Sequence, residues 1–420
     1  MASEVVIVGG GPAGATMGCY LSKAGIANTI IEADVHPREH VGESIVGATN
    51  PLFMELGFLD TMEREGFVHK HGASWHPAAG QASMSVDFSE VPPAGVTQTY
   101  TYHVDRARFD LLLLEHAEAL GSEVHQRARV HEVLFDGDTA CGVRATLGGE
   151  QVDVPARMVV DASGRGTLLG SQLGLKRPDP LFNQYAVHAW FEDVDRGRRP
   201  TDIHIYFLPV RRGWVWQIPI TDTVTSVGVV TEKDTFKQGK GDHGTWFDQM
   251  CASAPQVARA MAGARRINDF KVEADYSYAV DELVGDGWML IGDSARFVDP
   301  IFSSGISVAM FSAKFGSEQI LRGLAADDLG RDSLLPYETK LRGGIEIWYE
   351  FIQLYYKLMP IFTLFFAKTG YREQMIRLLQ GNVYDMDKAE VLKDMRDFIR
   401  VVETTEGHLL KPYLDPELKV

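Results

Sequence analysis

Three glycines near the start of the chain, Gly9, Gly11 and Gly14, follow the apolar run Val5 to Val8 and precede a helix-compatible stretch. Spaced as G-x-G-x-x-G, they suit a dinucleotide. The first permits a tight turn, the second lets backbone approach a pyrophosphate, and the third lets helix and strand pack closely. The helix start then offers free N–H groups and a partial positive charge to the phosphates. Glu32 closes the next apolar run, where a carboxylate can accept from a ribose. Asp161 in "VVDASG" and Asp293 in "LIGDSA" each end a further apolar run. Each could hold a ligand hydroxyl or cap the turn it sits in. Trp214 and Trp216 in "GWVWQIP" stand two apart, so on a strand they share one face, as a core stripe or as the wall of a site. Ser303 to Gly305 are small residues before a long helical pattern, a candidate anion cradle or a plain helix start.

These residues need a doubly wound frame. The first 32 residues read as a βαβ unit, and 104–121 as a helix closed by a glycine, followed by strand-like alternation. Residues 181–232 carry four strand candidates separated by turn residues, an antiparallel set. Strand, loop and long helix return at 287–321, and from about Leu334 the pattern is helical. The expected division is a first nucleotide-binding part at 1–180, a β-rich substrate lobe at 181–275, a second nucleotide-binding part at 276–333 and a helical region at 334–420. With 420 residues, 45% of them hydrophobic, two joined lobes are affordable. The net charge of −16 gives no general attraction for nucleic acid or an anionic membrane. Cys19, Cys141 and Cys251 have neither metal-ligand spacing nor the number for a disulfide framework, and no signal peptide is evident, so a cytoplasmic setting is expected. The apolar stretch 348–366 contains Glu350, Gln353, Lys357 and Pro360, which argues against a membrane span.

The order of glycine loop, "DASG" and "GD" loop resembles the α/β FAD-binding fold of the p-hydroxybenzoate hydroxylase type, with a β-rich substrate lobe and a helical C-terminal region. The resemblance places Ala13, Ser44, Arg106 and Asp293 at the cofactor. A closer resemblance, nearly chain-long, is to flavin-dependent halogenases, in the branch acting on carrier-tethered pyrrole. "WVWQIP", "VGESIV", "KHGASW", "YHVDRARFD" and "DPIFSSGIS" carry it. It implies that FADH2 and O2 yield a flavin C4a-hydroperoxide, that chloride or bromide attacks it to form HOX, and that HOX halogenates an electron-rich ring. It further implies a halide at the amides of Ser304 and Gly305, Ile306 beneath the flavin, Lys70 as the catalytic residue that relays HOX, and Trp214, Trp216 and Phe302 walling the substrate chamber. No second glycine-rich βαβ unit is present, so a separate flavin reductase is the expected source of FADH2, unless NAD(P)H meets the flavin directly as in the hydroxylases. A peptidyl carrier protein is the expected partner, with Arg265, Arg266 and Lys271, or Arg211 and Arg212, as basic docking patches or ordinary solvated charges. Glu43 reads as a partly exposed loop carboxylate. The alternatives are a halogenase of free phenol or pyrrole, and a flavin-dependent aromatic hydroxylase, which has no need of Lys70.

Overall fold

The computed structural model describes residues 4–78, 83–92, 98–239, 241–274, 277–366, 369–384 and 390–418. Its first sheet has six strands, in the order Val284–Gly285, Trp288–Leu290, Met158–Asp161, Val5–Val8, Asn28–Ile31 and Glu123–His125. All neighbours are parallel except the outermost pair, Val284–Gly285 with Trp288–Leu290. The three central strands are buried at every residue. That is why they read as unbroken apolar runs rather than as alternation. Helices Pro12–Lys23, Arg106–Leu120 and Gly305–Ala326 pack together over this sheet, and a three-stranded antiparallel meander from Arg129 to Pro155 adjoins Met158–Asp161.

The second sheet is mixed. Its order is Arg265–Arg266, Gln184–Glu192, Val224–Glu232, Trp214–Pro219, Ile203–Phe207, Gly72–His76 and Met84–Asp87, with Lys271–Ala274 also pairing with Gln184–Glu192. Two of these strands come from 72–87, and Ile203–Phe207 lies parallel to Gly72–His76. The sheet is therefore neither confined to 181–275 nor wholly antiparallel, in contrast to the sequence-based expectation. Alternation marks a strand but not its partner. The expected boundary between 275 and 276 lies outside the described residues. One face of this sheet, with Trp214, Trp216 and Ile218, turns to the main core; the other, with Tyr206, Val215 and Val229, is covered by Trp246, Phe247 and Cys251.

The C-terminal region begins with the helix Arg331–Leu358 and continues through Met359–Phe366, Thr369–Leu379 and Glu390–Thr404. Its apolar face meets the loop at 300–302, where the Phe302 ring stacks 4.3 Å from Phe351. No helix among the described residues is long and apolar enough to cross a membrane.

Candidate active site

A cavity of about 540 Å3 opens where the carboxyl ends of the parallel strands meet the tryptophan face of the second sheet. Such a place is where open α/β sheets bind ligands. Gly9 has φ of +105°, and a Cβ there would lie 2.5 Å from the carbonyl oxygen of Ala162, so only glycine fits this turn. At Gly14 a Cβ would lie 1.9 Å from the carbonyl oxygen of Gly9. Gly14 thus lets the helix pack under the loop, whereas Gly9, Gly11 and Ala13 line the cavity itself. The helix that starts at Pro12 has neither a capping side chain nor an acidic residue in its first turn. Its free amides and dipole are left for an anion.

Glu32 is buried, and its carboxylate accepts from the amides of Gly10 at 2.6 Å and Asp34 at 2.9 Å. Each oxygen keeps a second lone pair, so the residue can brace the loop and also accept from a ribose. The two aspartates with similar surroundings in the sequence separate here. Asp161 accepts from the amides of Ser163 and Leu169 and holds the turn between them. Asp293 lines the cavity; burial pushes its carboxyl up to about 6, against the pull of Arg106 and Arg165. Arg106 grips Asp110 through two nitrogens, at 2.8 and 2.9 Å, and donates to the carbonyl of Val41 at 2.6 Å. Its guanidinium is fixed at the cavity edge.

Glu43 differs from its reading as a partly exposed loop carboxylate. It is 2% exposed and lines the cavity next to Ser44. The Trp190 indole donates to Oε1 at 2.6 Å, while Oε2 has no hydrogen-bond partner among the described residues. Burial pushes this carboxyl up to about 7, with the nearby Ser226 hydroxyl and the Trp190 hydrogen bond opposing the shift. The sequence hid this because Trp190 and Ser226 lie on distant strands. Ser44 lies beside His103 across an isolated bridge, with its buried hydroxyl unpartnered among the described residues.

Trp214 and Trp216 do share one face and line the cavity, their rings 5.9 Å apart. Each indole N–H is tied down: Trp214 donates to Tyr356 Oη at 3.0 Å, and Trp216 to Ser226 Oγ at 3.1 Å. Tyr356 in turn donates to both oxygens of Asp299, at 3.2 Å, and Asp299 accepts from the amide of Ile301 at 2.9 Å. The tryptophan strand and the loop before Ser303 are thereby connected through one tyrosine, for which the sequence carries no signal. Ser303 adopts φ of +58°, and Ser303, Gly305 and Ile306 line the cavity. Ser304 instead borders a smaller cavity adjoining the same loop. Phe302 is not in the cavity wall; it packs among Phe351, Tyr355 and Phe362, because its side chain points into the helical core.

Lys70 is 2% exposed, in the short strand Val68–Lys70 that pairs with Thr101–His103. Its Nζ donates to the carbonyl of Ile45 at 3.0 Å and lies 5.5 Å from the Phe88 ring. Burial pushes the amine down to about 7, with Asp202 pulling it back up. Lys70 does not line the cavity. It stands one layer behind, tied to the residue that follows Ser44. The two basic patches considered for docking are paired: Arg212 with Asp415 and Glu232, Arg211 with Asp415 and Glu417, Arg265 with Glu192, and Lys271 with Glu39.

The uncapped helix start, the fixed Glu32 and a cavity of this size fit a flavin dinucleotide. The FAD-binding domain family model matches residues 2–315, so the chain belongs to that family and FAD is its cofactor. Within it, the chain is a flavin-dependent halogenase. It is 43% identical to the 1H-pyrrole-2-carbonyl-[peptidyl-carrier protein] chlorinase of Pseudomonas fluorescens, over 98% of this chain and 96% of that one. It is 32% identical to the corresponding brominase of Pseudoalteromonas luteoviolacea, over 91% and 93%. Among solved structures, a flavin-dependent brominase superposes with a TM-score of 0.87 at 28% identity, covering 96% of this chain and 99% of that one.

Proposed function

We propose that this halogenase places chlorine or bromine on a pyrrole-2-carbonyl group carried by a peptidyl carrier protein, using O2, a halide ion and FADH2 delivered by a separate reductase. The observation that carries the halogenation chemistry is Lys70: a fully buried lysine, pushed to about 7, whose Nζ donates to the carbonyl of Ile45, the residue after Ser44 in the cavity wall. The carrier-borne substrate is supported by the likeness to the chlorinase and brominase named above. Gly9, Gly11, Ala13, Glu32, Ser44, Arg106, Asp293 and Ile306 would hold the cofactor, and bound FADH2 supplies the activation of O2 that turns halide into an electrophile.

The chain's own residues do the rest. The amides of Ser304 and Gly305 hold the halide at the start of an uncapped helix. Trp214 and Trp216 keep the organic substrate off the cofactor, so that only a small molecule passes. The neutral amine of Lys70 takes the halogen from HOX, forming N–X and releasing water; its ammonium form would instead hydrogen-bond HOX. Glu43, half protonated near neutrality, holds a proton at the cavity. Supplying enzyme, reductase, NADH, FAD and bromide with either pyrrolyl-loaded carrier or free pyrrole-2-carboxylate tests the reading by mass spectrometry. Bromine should appear on the carrier-bound ring and not on the free acid. Equal bromination of the free acid would overturn the carrier-borne substrate, and no bromination of either would overturn the halogenation.

A further inference from the structure

Lys70 makes one hydrogen bond among the described residues, from Nζ to the carbonyl of Ile45. A neutral amine has two hydrogens, so one is left over. Two buried acceptors near it lack a donor. Asp202 is 1% exposed; its Oδ2 accepts from Ser74 Oγ at 2.8 Å and from Arg199 Nε at 2.5 Å, while Oδ1 has no partner among the described residues. Gly72, just past Lys70 in the chain, makes room for that oxygen: a Cβ there would lie 3.0 Å from Oδ1. The other acceptor is His103, buried on the strand that pairs with that of Lys70. Its Nε2 lies 3.2 Å from the carbonyl of Thr201, which can only accept, so Nε2 carries the proton and the unpartnered Nδ1 carries the lone pair. Burial, with the charge of Lys70 adding to it, pushes His103 well below the usual histidine range, and its ring is neutral.

Buried acceptors are nearly always satisfied. One water that accepts from Nζ and donates to Asp202 Oδ1 and His103 Nδ1 satisfies all three groups. The other charged or titratable groups facing this place are already engaged. Arg199 also pairs with Asp87, Arg196 donates to Thr225 and to the carbonyls of Thr221 and Val224, and His204 is bonded to His76 and to the carbonyl of Arg199. Among the described residues Asp202 is the one carboxylate whose charge acts on the amine. We infer that Asp202 is the positioning residue of Lys70: through the shared water it takes one hydrogen of the amine and, with Ile45 taking the other, leaves the lone pair for the incoming halogen. The inference rests on the proposed role of Lys70.

Asp202→Asn tests it. The variant keeps the shape but removes the charge, and with its oxygen held by Arg199 and Ser74 it turns a donor toward the water. Bromopyrrole formed per FADH2 consumed should fall about tenfold, as for loss of one hydrogen bond to a charged group, with oxygen-dependent FADH2 consumption unchanged. The second readout is one that a merely structural role would not move. In flavin-free protein labelled with 13C-lysine, the Cε resonance of Lys70, assigned by its loss in Lys70→Met, should titrate with a midpoint near 7 in the wild type and at lower pH in Asp202→Asn, because the carboxylate that favours the ammonium is gone. Asp202→Ala gives the same comparison if Asp202→Asn does not fold. An unchanged midpoint, or unchanged product per FADH2, overturns the role of Asp202 and leaves the proposed function standing. No bromination by the wild type discards the proposed function, and this inference with it.

Discussion

At the scale of single residues, Lys70 carries the main cost of burial and, in the proposed function, the transfer of halogen. An amine removed from water is favoured as its neutral form, and Asp202 offsets only part of that. In the proposed transfer the neutral form is the nucleophile, and half of the amine is neutral at about pH 7. Lys70→Ala should keep flavin binding and oxygen-dependent consumption of FADH2 while losing halogenated product by about a hundredfold or more, the usual share of one positioned reactive group. Lys70→Arg sharpens the point, because guanidinium stays charged at any working pH. It should also lose product, whereas a merely hydrogen-bonding cation would be rescued by arginine. Product measured by liquid chromatography with flavin oxidation followed in parallel decides between them, and retained halogenation in Lys70→Ala would remove the residue from the mechanism.

Among the elements, the tryptophan strand is held from two sides. Tyr356 bonds Trp214 and Asp299 from the C-terminal helix, and Gly228 on the neighbouring strand lies flat under Trp216. A Cβ at Gly228 would come within 2.1 Å of that indole. Gly228→Ala should therefore push Trp216 out of place and destabilise the protein by about 1–3 kcal/mol, the usual cost of overpacking. Urea denaturation measures the loss, and more hydrogen peroxide released per FADH2 consumed should accompany it. Elements with local signals were legible in sequence: the glycine loop, the helix Arg106–Leu120 with Gly121 past its end, and the shared face of Trp214 and Trp216. What local pattern cannot state is partnership. Gly72–His76 joining Ile203–Phe207, Trp190 reaching Glu43, and Phe302 turning into the helices rather than the cavity are long-range outcomes of packing. Lys70 was legible as a site residue only by family likeness, since a lysine between two histidines carries no mark of burial.

Across the whole molecule, the buried ionisable groups around the cavity act against one another as pH changes. Glu43 and Asp299 are pushed up to about 7 and Asp293 to about 6, so the folded state binds more protons than the unfolded one between about 4 and 7. Their neutral forms favour folding at low pH, and this stability is lost as pH rises through their folded values. Lys70 runs the other way. Its folded value of about 7 lies below the unfolded 10.5, so the unfolded state binds more protons between these limits and stability rises with pH across them. Both sets of penalties are fully present near pH 7, where the proposed function calls for a protonated carboxyl and a neutral amine at once. The contribution of these four groups to the flavin-free protein should therefore pass through a minimum near neutrality. Glu43→Gln should stabilise it relative to wild type at pH 8 but not at pH 4.5, and Lys70→Met at pH 6 but progressively less toward pH 10. Chemical denaturation of each variant across that range reads the differences directly. A Lys70→Met gain that grows with pH would mean that the amine is charged in the folded protein, and that Lys70 works as a hydrogen-bonding cation rather than as a nucleophile.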